Sequence, residues 1–144
     1  MANASAVASP APGGPVLSTP LISVVDDDAS VRAATENLLK SRGYVVQTFV
    51  SAEEFLRSPR LNETSCVITD VQMPVMSGLD LLAEMRTRGY GVPFIFITAF
   101  PNDRVRASAL SAGAAGFLGK PFAGHTLIEY LDAALEENGG GGDT

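Results

Sequence analysis

The sequence predicts a doubly wound α/β fold: a five-stranded parallel sheet with five helices spread over both faces. Three observations lead there. Short apolar runs alternate strictly with amphipathic stretches along the chain. The runs are rich in Val, Ile and Phe and bounded by polar or turn residues, as buried strands are. Strands alternating with helices favour parallel neighbours, which need right-handed helical crossovers. A chain of 144 residues, 46% hydrophobic, suffices for one core and leaves little room for a second domain.

Each element can be justified in order. Residues 1–20, rich in Ala, Ser, Pro and Gly, cannot bury enough apolar surface to offset their ordering entropy and read as a disordered leader. The first strand is 21–25. A helix follows with Val31, Ala34, Leu38 and Leu39 on one face, and Gly43 sits where it should stop. The second strand is 44–49, and Ser51-x-x-Glu54 reads as a capping box that starts a short helix through Phe55 and Leu56. The third strand, 66–69, precedes a helix marked by Leu79, Leu82 and Met85. The fourth, 94–98, precedes the helix with the weakest pattern, about 103–112, with Gly113 at its stop. The fifth, 116–118, precedes a helix carrying Leu127, Ile128, Leu131 and Leu135. The glycine-rich residues 138–144 read as a flexible tail that ends this helix, so the folded unit is 21–137.

Composition excludes several classes of function. The formal net charge is -6, with no Lys/Arg-rich run to neutralise phosphates, so nucleic-acid binding by this chain is not expected. The single cysteine, Cys66, rules out an internal disulfide and a cysteine metal cluster; in its apolar run it reads as a buried, inert thiol. No apolar stretch approaches the ~20 residues that span a bilayer. The N-terminus is not built as a secretory signal, and we read the chain as cytoplasmic with no membrane partner.

In an open α/β sheet the chemistry sits at the carboxyl ends of the strands, beside the point where strand order reverses. The first run ends in Asp26-Asp27-Asp28, the third in Asp70 and the fourth in Thr98-Ala99, and the fifth is followed by Lys120-Pro121. Taken singly, each has an ordinary explanation: Asp28 as a helix cap, Thr98 as a strand end, Lys120 as a solvated lysine. The convergence is what those explanations leave out. Carboxylates packed together repel one another, and a site that keeps several of them needs a cation. All-oxygen ligation favours a hard ion such as Mg²⁺.

Four fragments, in order and spacing, resemble the response regulator receiver family of two-component systems. They are Val25-Asp26-Asp27-Asp28, the stretch Asp70-Val71-Gln72-Met73-Pro74-Val75-Met76-Ser77-Gly78, Thr98-Ala99, and Phe117-Leu118-Gly119-Lys120-Pro121-Phe122. The wording around Ser51-Ala52-Glu53-Glu54-Phe55-Leu56 and Lys120-Pro121-Phe122 looks closest to the FixJ-type branch. The resemblance covers about 21–136 and implies a flavodoxin-like sheet of order 2-1-3-4-5. It makes Asp70 the phosphoacceptor. It makes Asp27 a direct Mg²⁺ ligand, with Asp26 assisting through water and the backbone carbonyl of Gln72 completing the protein ligands. Lys120 contacts the phosphoryl oxygens, Thr98 hydrogen-bonds the attached group, and Lys120-Pro121 is a cis peptide. Phe117 holds the place of the family's switch aromatic, without the hydroxyl a Tyr would bring.

The resemblance also implies a sensor histidine kinase as phosphoryl donor and a phosphorylation-dependent homodimer. The chain would then be no conventional enzyme, but a catalyst of its own phosphorylation and dephosphorylation. The expected switch draws Thr98 toward the phosphoryl group and rotates Phe117 inward, repacking the face of the fourth helix, fifth strand and fifth helix. Phe100-Pro101 departs from the small, Gly-rich stretch common there in the FixJ-type branch. His125, the only histidine, is expected on a solvated face, and Arg104, Arg106, Asp132 and Glu136 are read as solvated or, equally, as the rim of a dimer contact across the switch face. Two rivals stand beside this reading. One is a haloacid-dehalogenase-like phosphatase, with Asp26 as nucleophile and Asp28 as acid. The other is a receiver-like binding module that is never phosphorylated.

Overall fold

The computed structural model describes residues 19–143, with side chains described through residue 137. The expected leader falls almost wholly outside the described residues. Five strands, β1 (Leu21–Val25), β2 (Val45–Phe49), β3 (Thr64–Asp70), β4 (Phe94–Thr98) and β5 (Gly116–Gly119), alternate with five α-helices. These are α1 (Ala29–Ser41), α2 (Ala52–Leu56), α3 (Gly78–Thr87), α4 (Asp103–Ser111) and α5 (Gly124–Asp143); a short 3-10 turn, Leu61–Glu63, precedes β3. The sheet is parallel throughout, in the order β2-β1-β3-β4-β5. The order reverses between β1 and β3, so the loop after β1 and the end of β3 flank the switch point.

Strand alternation divides the core in two. Ile22, Val24, Cys66, Ile68, Ile95, Ile97 and Leu118 face α1 and α5, against Leu39, Leu127 and Leu131. Val25, Val67, Phe94, Phe96 and Phe117 face the other way, against Phe55 of α2, Leu81, Leu82 and Met85 of α3 and Ala109 of α4. Successive side chains of a strand point to opposite faces, so residues buried on both sides read as the continuous apolar runs of the sequence. Fully burying one such Leu, Ile or Phe contributes about 1.5–3 kcal/mol.

The helices begin on side-chain caps. Asp28 accepts from the amides of Ser30 and Val31, Ser51 from Glu54, and Asn102 from Val105. Ser77 and Asp80 exchange both bonds of a capping box. The Ser51-x-x-Glu54 box forms with one difference: the Glu54 carboxylate accepts from the Val50 amide at 2.8 Å, one residue before the cap. Gly43 and Gly113 take φ of 89° and 94° just beyond α1 and α4, as helix-ending residues do.

Several details depart from the sequence expectation. In α1 the fully buried positions are Thr35 and Leu39 and Ala34 is exposed, a phase shift of one residue. β3 starts two residues early because Thr64 is buried and its hydroxyl lies 2.9 Å from that of Ser23, pairing two polar groups inside the sheet. The tail does not stop α5 at Asn138: the helical backbone runs to Asp143. Glycine is a poor helix former but, unlike proline, keeps its N–H donor, so the hydrogen-bond ladder can continue.

Cys66 is fully buried in β3, and burial pushes its thiol up to about 12. The thiolate is the reactive form, so at neutral pH a water-soluble alkylating reagent should leave Cys66 unmodified in the native protein. Intact-mass measurement should show one adduct only after unfolding in guanidinium.

Candidate phosphoryl-transfer and cation site

The fold brings the predicted acidic residues to one edge. Asp26 and Asp27 follow β1 directly, and Asp70 closes β3, its neighbour in the sheet. Asp26, Asp27 and Asp70 each present a carboxylate oxygen, and these oxygens all lie within 4.8 Å of one another. Asp26 and Asp70 are buried and Asp27 is exposed. Lys120 enters from the far side, after β5. Its ammonium donates to Asp70 Oδ2 at 2.9 Å and sits 3.1 Å from Asp26 Oδ2.

Each carboxylate is further held by the main chain. Asp26 Oδ1 accepts from the Asp28 amide at 2.9 Å, and Asp70 Oδ1 from the Gln72 amide at 3.0 Å. The Lys120 contact to Asp26 Oδ2 is an ion pair out of line for a hydrogen bond, so this buried oxygen has no hydrogen-bond partner. Burial raises the Asp26 carboxyl above its ordinary range, against the Asp28 amide and the Lys120 ammonium, which favour the charged form. Burial alone would lower Lys120; its hydrogen bond to Asp70, its contact with Asp26 and the charges of both carboxylates outweigh that, and its pKa is raised. A buried carboxylate oxygen without a donor, beside two more carboxylates, suits an oxygen-seeking divalent cation. The residues present therefore fit such an ion.

Thr98 ends β4 and is fully buried. Its hydroxyl oxygen accepts from the Phe100 amide at 3.1 Å, and its carbonyl accepts from the Lys120 amide at 2.7 Å. The Lys120–Pro121 peptide is cis. Phe117 is already buried, at 4% exposure, with the Arg106 guanidinium 5.6 Å from its ring centroid. Phe117 is thus buried before any phosphoryl group is attached. Arg106 is accordingly more than a solvated charge, and Asp132 also has a partner: its carboxylate accepts from the Tyr44 hydroxyl, tying β2 to α5. His125 is exposed in the first turn of α5.

Asp28 is spent on the cap of α1, its Oδ1 2.9 Å from the Ser30 amide and 3.2 Å from that of Val31. It is unsuited to the acid role of the phosphatase alternative, whose nucleophile, Asp26, is fully buried. In the loop after Asp70, Val75 is 93% exposed and takes φ 71°, a left-handed conformation rare for a β-branched residue. Phe100, 67% exposed, lies on the neighbouring loop. Sequence reasoning missed Arg32, which donates to the Asp26 main-chain carbonyl at 2.7 Å. The available signal was a cation in the first turn of a helix that follows three aspartates.

Comparison with known proteins gives one answer. Residues 22–132 match the response regulator receiver domain family. The chain is 38% identical over 118 residues to nodulation protein W of Bradyrhizobium diazoefficiens, covering 82% of this chain and 52% of that protein. It is 40% identical over 115 residues to the transcriptional regulatory protein TdiR of Thauera aromatica, covering 80% of this chain and 51% of that protein. It thus spans about half the length of these curated relatives. The crystal structure of FixJ-N superposes with a TM-score of 0.74 at 30% identity, covering 83% of this chain and 96% of that one.

Gly78 sets how closely α3 approaches the site. A Cβ there would lie 2.3 Å from the Asp70 main-chain oxygen and 3.1 Å from the Phe96 ring. Gly78→Ala should therefore push α3 off the end of β3 and destabilise the domain by about 1–3 kcal/mol, read as a lower urea midpoint.

Proposed function

The chain belongs to the response regulator receiver family, and on that premise we propose that Asp70 takes a phosphoryl group from the phosphohistidine of a sensor kinase. The observation that carries this reading is the meeting of Asp26, Asp27 and Asp70 within 4.8 Å, with Lys120 paired to Asp70. Asp26, Asp27, Asp70 and the main-chain carbonyl of Gln72 would hold Mg²⁺. When bound, the ion offsets the repulsion between carboxylate and anionic donor and stabilises charge on the phosphoryl oxygens.

This chain's own residues do the rest. Gln72 and Lys120 each bond one Asp70 oxygen and so orient the nucleophile before a donor arrives. A carboxylate oxygen of Asp70 forms the new bond to phosphorus as the bond from phosphorus to the donor nitrogen breaks. Lys120 exchanges its contact with Asp70 for the phosphoryl oxygens, neutralising charge as it is transferred. Hydrolysis of the acyl phosphate by water returns Asp70 and inorganic phosphate, so the domain catalyses both halves of its cycle.

The attached group draws the Thr98 hydroxyl, which gives up its bond to the Phe100 amide and frees the loop before α4. The space the hydroxyl vacates is taken by the Phe117 ring, now covered by the Arg106 side chain, and the α4-β5-α5 face becomes the surface for partner binding or dimerisation. The proposed folded unit is 21–137, acting in the cytoplasm. Among the described residues no helix is long and apolar enough to cross a membrane.

Incubation with acetyl phosphate and Mg²⁺ should add one phosphoryl group, labile to acid and to base as an acyl phosphate is, at Asp70, located by peptide mass after borohydride trapping. Asp70→Asn should abolish it. Label on Asp26 would instead favour the phosphatase reading, and no label on any aspartate would favour the binding module. Thr98→Ala should accept the phosphoryl group at close to the wild-type level yet fail to change hydrodynamic size or partner binding. A phosphorylated Thr98→Ala chain that dimerises like wild type would remove Thr98 from the switch.

A further inference from the structure

We infer that Arg32 is a positioning residue for the cation site, holding the Asp26–Asp27 peptide through its side chain; the inference rests on reading the acidic cluster as that site. β1 ends at Val25, so the Asp26 carbonyl lies beyond the strand as the sheet pairing defines it. Asp26 itself is buried, and a buried carbonyl needs a donor. Arg32 Nη1 supplies it at 2.7 Å. The carbonyl belongs to the peptide that joins Asp26 to Asp27, so this bond sets the orientation of that peptide plane and with it the direction in which exposed Asp27 leaves the chain.

The placement of Arg32 is not explained by its helix. It stands in the first turn of α1, where the helix dipole disfavours a cation, and the acidic cap there, Asp28, turns its carboxylate to the Ser30 and Val31 amides. It is nevertheless half-buried, with its guanidinium turned back over the N-terminus toward the acidic loop. The remaining bonds close around the same residue. The Asp26 amide donates to the Phe49 carbonyl at 3.1 Å, the Asp28 amide donates to Asp26 Oδ1 at 2.9 Å, and the Arg32 amide donates to the Asp28 carbonyl at 2.9 Å. Arg32 thus grips the loop twice, by its main chain at Asp28 and by its side chain at Asp26, and Asp27 is suspended between the two.

The test compares the full chain with Arg32→Met and Arg32→Lys. In calorimetric Mg²⁺ titrations Arg32→Met should weaken binding by about 10- to 100-fold, the loss typical when a group that orients a metal ligand is removed. Arg32→Lys, which keeps a cation and a donor, should recover part of it. The half-saturating Mg²⁺ concentration for acetyl phosphate labelling should rise in parallel, while the rate at saturating Mg²⁺ stays near wild type. A purely structural role would lower the melting temperature and leave Mg²⁺ affinity of the folded chain unchanged, and that result would overturn the inference. A second arm needs no metal: in EDTA, amide exchange at Asp28 should be faster in Arg32→Met than in wild type. Unchanged exchange there would also overturn it. If wild type binds no Mg²⁺, the cation reading falls by itself, and faster Asp28 exchange in the variant still upholds the grip on the loop.

Discussion

Repulsion between carboxylates at one end of the sheet is the constraint around which the rest of the molecule is arranged. Two like charges about 4 Å apart, at an effective dielectric near 20, repel by ~4 kcal/mol. Asp26 and Asp70 are both buried, which makes matters worse, and the fold tolerates them only because it brings compensating groups to the same place. The Lys120 ammonium lies between Asp26 and Asp70, and main-chain amides of Asp28 and Gln72 point at their outer oxygens. Each compensating group comes from a loop at the carboxyl end of a strand. Parallel topology is what collects those ends on one side, and adjacency of β1 and β3 is what makes the crowding unavoidable.

The same topology joins the acidic edge to the face around α4. Lys120 and Thr98 are bonded through the main chain between β4 and β5, so the cation that meets Asp70 and the hydroxyl next to it share one frame. The Thr98 hydroxyl reaches the loop that carries Phe100, and Phe117, three residues before Lys120, lies under the Arg106 side chain of α4. A change in charge at Asp70 therefore meets an unbroken series of contacts leading to α4. In the proposed switch that series is the route for coupling, and the Thr98 bond to the Phe100 amide is the contact that changes.

Much of this was legible in the sequence because the chemistry follows the strands. Apolar runs located the sheet, and residues directly after them located Asp26, Asp27, Asp70, Thr98 and Lys120. Polar residues inside elements were harder. Thr64 looks like a loop residue until its hydroxyl is seen to pair with that of Ser23 within the sheet. The apolar stripe drawn through Ala34 passed over Thr35, because a helix of this length can be rotated by one residue without losing its stripe. Long-range partners were invisible: Tyr44 with Asp132 and Arg106 with Phe117 are separated in sequence and depend on rotamers that no periodicity encodes. The continuation of α5 through the glycines went against propensity, which sets a preference and not a stop.

Val75 carries a different message. Its left-handed backbone and outward side chain sit in the segment linking Asp70 to the Ser77 cap. Such a conformation costs about 1–3 kcal/mol, a sizeable share of the 5–15 kcal/mol by which most domains remain folded. The heat tolerance of this protein is thus limited in part by one torsion in a surface loop, remote from the aromatic interior. An asparagine or glycine in that place would widen the thermal margin without disturbing a single core contact.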